Sequence, residues 1–419
     1  MSQGLARSSV LTIGALTLRL FTQAAALTLT ARLLGPSWYG AIAAAASLAT
    51  LLGILPNLGA GLTVIARARR KTEVAADVWR YAWPQHLVIS PLIAVIYIIA
   101  ATKLTHGRLD VGVLVLIAMS EVMITPVSLQ LSATLQAIDR VPLSQFIQWI
   151  ALTIRVIGLG TCFLLPFAPP TAYAASQLAA ATAGLVIAMR ITSKHVPLNW
   201  RPRAPRRDEL RDGAAYSATS IIAANSLEID KIVAVRVVSA HDAGLYATMS
   251  RIVSAGTLPI IGLMMSAQPR LFHQGAERLP GTGRLVLRIA LACLLLGAVA
   301  AAGLHICAPL LPWLFGEQFD QMTSILPVMS LVIPAMSLRL GGTNVMLTLG
   351  RPEGRIVFDL CGGALLIGSM WWAGETFGIR GLAEAVLTSE IVLAAAAWTI
   401  VALEIRKGFG SSGSRPKPP

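Results

Sequence analysis

Charge is scarce in this chain. Asp, Glu, Lys and Arg make up only 13% of its 419 residues, about half of what a soluble domain carries. Cysteine is scarcer still. Cys162, Cys293, Cys307 and Cys361 are scattered through apolar runs with no metal-ligand spacing, which speaks against a disulfide framework or a zinc site; they read as small membrane-buried residues. The stretch "GTGR" lacks the lysine of a phosphate-binding loop and no strand precedes it, so the chain is not expected to hydrolyse ATP. His86, His106, His241 and His305 have no paired spacing and read as surface or packing residues. No cofactor and no metal are expected.

What is abundant is apolar sequence. Hydrophobic residues reach 55% and the mean hydropathy is +0.69. Apolar runs of about twenty residues, long enough to cross a bilayer as helices, recur from end to end. They are continuous rather than alternating, which excludes a membrane β-barrel. The fold class is therefore an all-α polytopic membrane protein with about twelve transmembrane helices. The expected spans are Ser8–Leu34, Ala41–Ala66, Trp83–Ala101, Val111–Ile138, Pro142–Leu165, Ala172–Ile191, Gly213–Val238, Ala243–Phe272, Leu285–Leu311, Met322–Leu349, Ile356–Trp372 and Ile379–Val401.

The net charge of +14 does not point to nucleic acid, because Lys and Arg cluster in every second loop. With the N-terminus in the cytoplasm, 24 of the 34 Lys and Arg face inward and five face outward (Arg32, Lys103, Arg108, Arg236 and Arg380). That split satisfies the positive-inside rule and the opposite orientation inverts it. Trp38, Trp79, Trp83, Trp200, Trp313, Trp371 and Trp372 fall near span ends, where aromatic belts sit. The first apolar segment is too long for a cleavable signal. The outer connections "LLGPSWYG", "LPFAPP", "FGEQFDQ" and "GETFGIRG" leave no room for an extramembrane catalytic domain.

The longest loop divides the chain. Residues 1–193 form a first lobe of six spans, 194–212 a basic cytoplasmic linker, 213–406 a second lobe of six, and 407–419 ("GFGSSGSRPKPP" with its preceding Lys) a disordered tail. The hairpin "ARLLGPSWYGAIAAAASLA" is echoed by "VRVVSAHDAGLYATMSRIVSAG". Both place Arg, an apolar pair and a short polar turn before Gly, Tyr and a small-residue helix. Both join an outward-going to an inward-going span, as in parallel repeats of transporters. Pro56, Pro91, Pro126, Pro259, Pro327 and Pro334 lie inside spans, where they kink helices.

Five bases lie within spans: Arg19, Arg155, Lys231, Arg251 and Arg339. Glu121, Glu228, Asp230, Asp359 and Glu390 are the acids. In "NSLEIDKIVAVRVV" the apolar residues contribute about −4 kcal/mol to insertion, against roughly +9 for Glu228, Asp230 and Lys231. This helix needs a polar interior or partner helices. At about 100° per residue Asn225, Glu228 and Lys231 share one face and Asp230 points elsewhere. Glu228 and Lys231 form a structural ion pair, or one of them lines a translocation path; Asp230, Glu228 and Glu121 are the ion-coupling candidates. Arg339 snorkels, or Arg155 pairs with Glu121, or these bases join Arg19, Lys231 and Arg251 in a cationic cavity. Guanidinium groups bind phosphate oxygens bidentately, so such a cavity implies an anionic phosphate or diphosphate substrate.

The sequence resembles the polysaccharide-biosynthesis flippases (the O-antigen and exopolysaccharide translocases) of the multidrug/oligosaccharidyl-lipid/polysaccharide exporter superfamily. "ARLLGPSWYG" and "EIDKIVAVRVVSAHDAGLYATMSRI" carry the resemblance, with "PRLF", "LGRPEGR" and "GIRGLAEA" beside them. It implies a V-shaped bundle of two six-helix lobes in a bacterial inner membrane, both termini cytoplasmic. It implies alternating access, with an undecaprenyl-diphosphate-linked oligosaccharide moved to the periplasmic leaflet. It implies as partners that substrate, membrane lipids, and a polysaccharide polymerase and chain-length regulator, with no nucleic acid. A cation-coupled drug exporter of the same fold is the alternative within transport. A membrane polymerase or ligase is the enzymatic one, and it lacks the long periplasmic loop such enzymes use.

Overall fold

The computed structural model describes residues 2–68, 71–164, 168–264, 267, 271, 282–348 and 352–410. The segments "LPF" and "LGR", most of "PRLF", the stretch "HQGAERLPG" and the tail from residue 411 on lie outside the described residues. Every regular element among those described is helical, and eight helices are long and apolar enough to cross a membrane. The protein is a multi-pass, all-α membrane protein. It forms two compact units, Met1–Gly244 and Leu245–Pro419.

In unit 1, α1 runs from Ser2 to Leu52 but breaks at Gly35, where φ is +65° and ψ 169°. Gly35 takes the left-handed conformation without a Cβ penalty, and Pro36 opens the return leg, where an N–H is not needed. The return leg ends at Leu52, and α2 (Ala60–Ala68) follows only after an irregular turn. The single span expected over Ala41–Ala66 is therefore interrupted. Gly53, Pro56 and Gly59 explain the break, with Leu58 and Gly59 both at positive φ. Next come α3 (Thr72–Leu104), α4 (Val111–Ile117), a π-helical turn (Ala118–Ile124) and α5 (Thr125–Ala137). The π turn sits just before Pro126, which has no N–H and whose ring crowds the preceding turn. Then follow α6 (Val141–Cys162), α7 (Pro169–Ser193) and α8 (Arg207–Val237).

The return leg of α1 packs on α8, where Ser47 meets Glu228. Ala41, Ala44, Ala45 and Ala49 are fully buried. A Cβ on Gly244 would stand 1.8 Å from the Pro36 carbonyl oxygen, and one on Gly40 would stand 2.7 Å from the Gly244 nitrogen. The two echoing turns of the sequence thus touch one another. At the other end of α8, a Cβ on Gly213 would lie 2.3 Å from the Leu58 carbonyl oxygen.

The stretch between α7 and α8, expected as a polar connector, is strapped to unit 1. Trp200 meets Trp79 and Trp83 edge-on, with centroids 5.5 and 5.7 Å apart. Arg203 lies over the Tyr81 ring and donates to Asp77 at 2.9 Å and to Glu209 at 2.8 Å. Arg67 donates to Asp212 at 2.6 Å and Asp208 at 3.0 Å. Burial pushes the Glu209 carboxyl up. Hydrogen bonds from Arg203 and the Arg206 backbone N–H, with the charges of Arg203 and Arg67, outweigh it and hold the group below the ordinary carboxylate range. A depressed folded value means the strap's contribution is complete above the unfolded glutamate value of about 4.3 and is lost as pH falls through the lower folded value. The protection factors of amides in the first turn of α8 are expected to be flat from pH 7 to 5 and to fall below about pH 4. In Glu209→Gln that acid step should vanish; an unchanged step assigns it to another group.

The helix α9 (Ala240–Gly256) leads into unit 2, which holds α10 (Thr282–Ile306), α11 (Leu311–Phe315), α12 (Leu326–Thr348) and α13 (Pro352–Gly410). A break at Gly378, φ +64°, splits α13 into two legs. Two legs each from α1 and α13, and one each from α3, α4–α5, α6, α7, α8, α9, α10 and α12, make twelve among the described residues. Ile260, Met264, Cys293, Val345, Phe358 and Ala397 form the core of unit 2. All four cysteines are free; Cys162 and Cys293 are buried, whereas Cys307 and Cys361 are exposed.

Candidate functional site

The charges of α8 gather around one ammonium. Lys231 is 2% exposed, and its Nζ lies 3.0 Å from Asp230 Oδ1 and 3.6 Å from Glu228 Oε2. Ser47, on the return leg of α1, donates to Glu228 Oε2 at 2.5 Å. The expected Glu228–Lys231 contact is present. Asp230, about 100° away around the helix, is reached by the flexible four-carbon stem of Lys231, a contact that backbone angles alone do not register. Two carboxylates against one ammonium leave this trio formally anionic. The Asn225 and Ser226 side chains lie outside the described residues.

A second polar group surrounds the π turn. Gln177 on α7 donates to Glu121 Oε1. Arg155 on α6 donates through Nη2 to the Tyr173 hydroxyl at 2.7 Å, so it meets Tyr173 and not Glu121. Tyr97 on α3 is fully buried. Its hydroxyl, Gln177 Oε1 and Arg155 Nε have no hydrogen-bond partner among the described residues. Buried polar atoms are rarely left unmet, and these three lie on neighbouring helices α3, α6 and α7. Sequence reasoning found Glu121 and Arg155 but missed Tyr97, Tyr173 and Gln177. Their signal was modest: hydrogen-bonding groups at span depth without a formal charge.

Arg19 differs from the other bases of unit 1. It is half-buried on the outgoing leg of α1, and its Nη1 reaches Gln145 Oε1 on α6 at 3.5 Å, the outer limit of a hydrogen bond. No carboxylate pairs with it among the described residues. In unit 2, Arg251 is half-buried on α9. Arg339 on α12 is 4% exposed and donates through Nε to Glu390 on α13 at 2.5 Å, with Glu390 itself 5% exposed. The structure thus joins Lys231 to Asp230 and Glu228, and Arg339 to Glu390. It keeps Arg19 apart from the group around the π turn that holds Arg155 and Glu121 without pairing them.

The profile of the polysaccharide biosynthesis protein family matches residues 5–273, well over half of the chain. The chain belongs to that family. Among curated proteins, none matches it. The fold is that of the MATE transporters of the MOP superfamily. An inward-facing multidrug resistance MATE transporter superposes with a TM-score of 0.71 at 16% identity, covering 96% of this chain and 100% of that one. An outward-facing one gives 0.67 at 15%, covering 97% and 96%. A MATE protein in complex with MaL6 gives 0.64 at 14%, covering 95% and 97%. Identities this low speak for the fold, and with the family they make this member a membrane transporter.

Proposed function

We propose that the protein moves undecaprenyl-diphosphate-linked oligosaccharides from the cytoplasmic to the periplasmic leaflet of a bacterial inner membrane by alternating access. The product supplies O-antigen, capsule or exopolysaccharide synthesis, and both termini are cytoplasmic. The observation that carries this reading is Arg19: a guanidinium at span depth that faces a neutral amide and has no carboxylate partner among the described residues. A charge in that position is costly unless a ligand or water answers it, and its planar donors match phosphate. A polymerase and a chain-length regulator are the protein partners that such a product calls for. The protein itself forms no bond in this reading.

Flux of a fluorescent lipid-diphosphate oligosaccharide in proteoliposomes tests it. Arg19→Ala is expected to lose about tenfold or more, the worth of one charge-assisted hydrogen-bond set, with Arg251→Ala measured beside it. Unimpaired flux in both variants sinks the cationic path. A second reading, cation-coupled drug export, is favoured by the buried Asp230 and the half-buried Glu121 and Glu228. Expulsion of a cationic dye by wild type, with no lipid flux, would establish that one instead.

A further inference from the structure

Next to Arg19, α1 and α6 carry a polar and aromatic seam that phosphate binding leaves unused. Trp149 Nε1 donates to Thr22 Oγ1 at 3.1 Å, one turn beyond the contact between Arg19 and Gln145. Residues 19 and 22 on α1 thus match 145 and 149 on α6, so the two helices run parallel here and the contacts are successive rungs. Phe146 flanks Trp149 at 5.7 Å with a tilt of 45° and is 39% exposed. Gln148, one residue away, is turned to Ser132 on α5 at 2.9 Å and takes no part.

The exposure along α1 shows which side of the seam is open. Arg19, Gln23, Ala26 and Thr30 fall on one face within a narrow arc. Ala26 and Thr30 are buried there, whereas Gln23, earlier on the same face, is exposed. The exposed Leu18 and Phe21 project from a different arc and suit lipid. A primary amide at span depth is not left against hydrocarbon, so the Gln23 face opens to water. Gln145 and Trp149, which meet α1 at Arg19 and Thr22, are half-buried.

We infer that this seam is a saccharide subsite, resting on the flippase reading above. A pyranose has an apolar C–H face and a rim of hydroxyls, each both donor and acceptor. Trp149 offers a broad apolar ring whose N–H is already engaged by Thr22, so the platform is fixed before binding. The amides of Gln145 and Gln23 each present two donors and an acceptor, the pattern that hydroxyl pairs require. Arg19, one turn away, takes the phosphate next to the first sugar. The spacing assigns the seam to the reducing-end residue of the glycan, with the longer glycan left outside it.

Full-length protein in proteoliposomes, given lipid-diphosphate tetrasaccharides of neutral hexoses, tests the assignment, with bare lipid diphosphate as competitor. Trp149→Ala is expected to raise the half-saturating concentration of the saccharide lipid about tenfold or more while inhibition by bare lipid diphosphate stays as in wild type. Trp149→Phe, which keeps a ring, should recover most of the affinity, and Gln145→Ala should lose about threefold. A role in packing alone would weaken both ligands together. Equal weakening, or no change in Trp149→Ala, overturns the subsite while leaving the flippase reading intact. Wild-type protein that moves no saccharide lipid overturns the flippase reading and the subsite with it.

Discussion

Replacing Gly244 by valine is expected to destabilise unit 1 by about 3 kcal/mol or more and to lower its melting temperature by about 10 °C. The first carbon of any side chain at this position would stand 1.8 Å from the Pro36 carbonyl oxygen. The obstacle is backbone, not a side chain that can swing aside, so the start of α9 and the return leg of α1 have to separate. The displacement also pulls on the Ser47–Glu228 hydrogen bond that joins the same leg to α8. Gly160→Ala on α6 is the control. A Cβ there meets nothing within 4 Å, and alanine favours a helix by up to about 1 kcal/mol over glycine. A Gly244→Val protein that melts with wild type in detergent would show that the two helices do not depend on that contact.

The buried pair in unit 2 yields the second large effect. Arg339→Met leaves Glu390 in an apolar interior without its cation, and Glu390→Met does the reverse. Each is expected to cost about 3–5 kcal/mol, because an uncompensated buried charge remains. The double variant should recover most of that loss, since removing both charges together also removes the desolvation that the pair suffers. A double variant that folds well and still transports identifies the pair as a lock between α12 and α13. If it folds but loses flux, the charges themselves serve the transport path. Additive losses in the double-mutant cycle would show that the two residues do not act as a pair.

The sequence read clearly wherever physics depends on local composition. Apolar runs and the placement of Lys and Arg announced a helical membrane protein, and "ARLLGPSWYG" announced the sharp turn that Gly35 and Pro36 make. Contacts that depend on distant chain were hidden. Nothing near Glu228 shows that Ser47 will donate to it, and nothing in the linker shows that Trp200 will rest on Trp79 and Trp83. The contact between Asp230 and Lys231 was hidden because helical angles locate Cβ atoms and not the end of a lysine. The run "GAIAAAASLATLLGILPNLGAGLTVIA" read as one span because hydropathy averages over the very Gly and Pro residues that interrupt it.

The distance in sequence between α1 and α8 bears on biosynthesis. Ser47 and its carboxylate partner are 181 residues apart. A ribosome therefore delivers the first six spans well before the helix that meets the Gly40 and Ser47 face of α1. Until then that face waits in the bilayer, narrow and free of bulky side chains, a ready seat for any other small-faced helix. Completion of the first unit is thus a late event in synthesis, and a chain truncated after α7 leaves the membrane with an unfinished, association-prone intermediate.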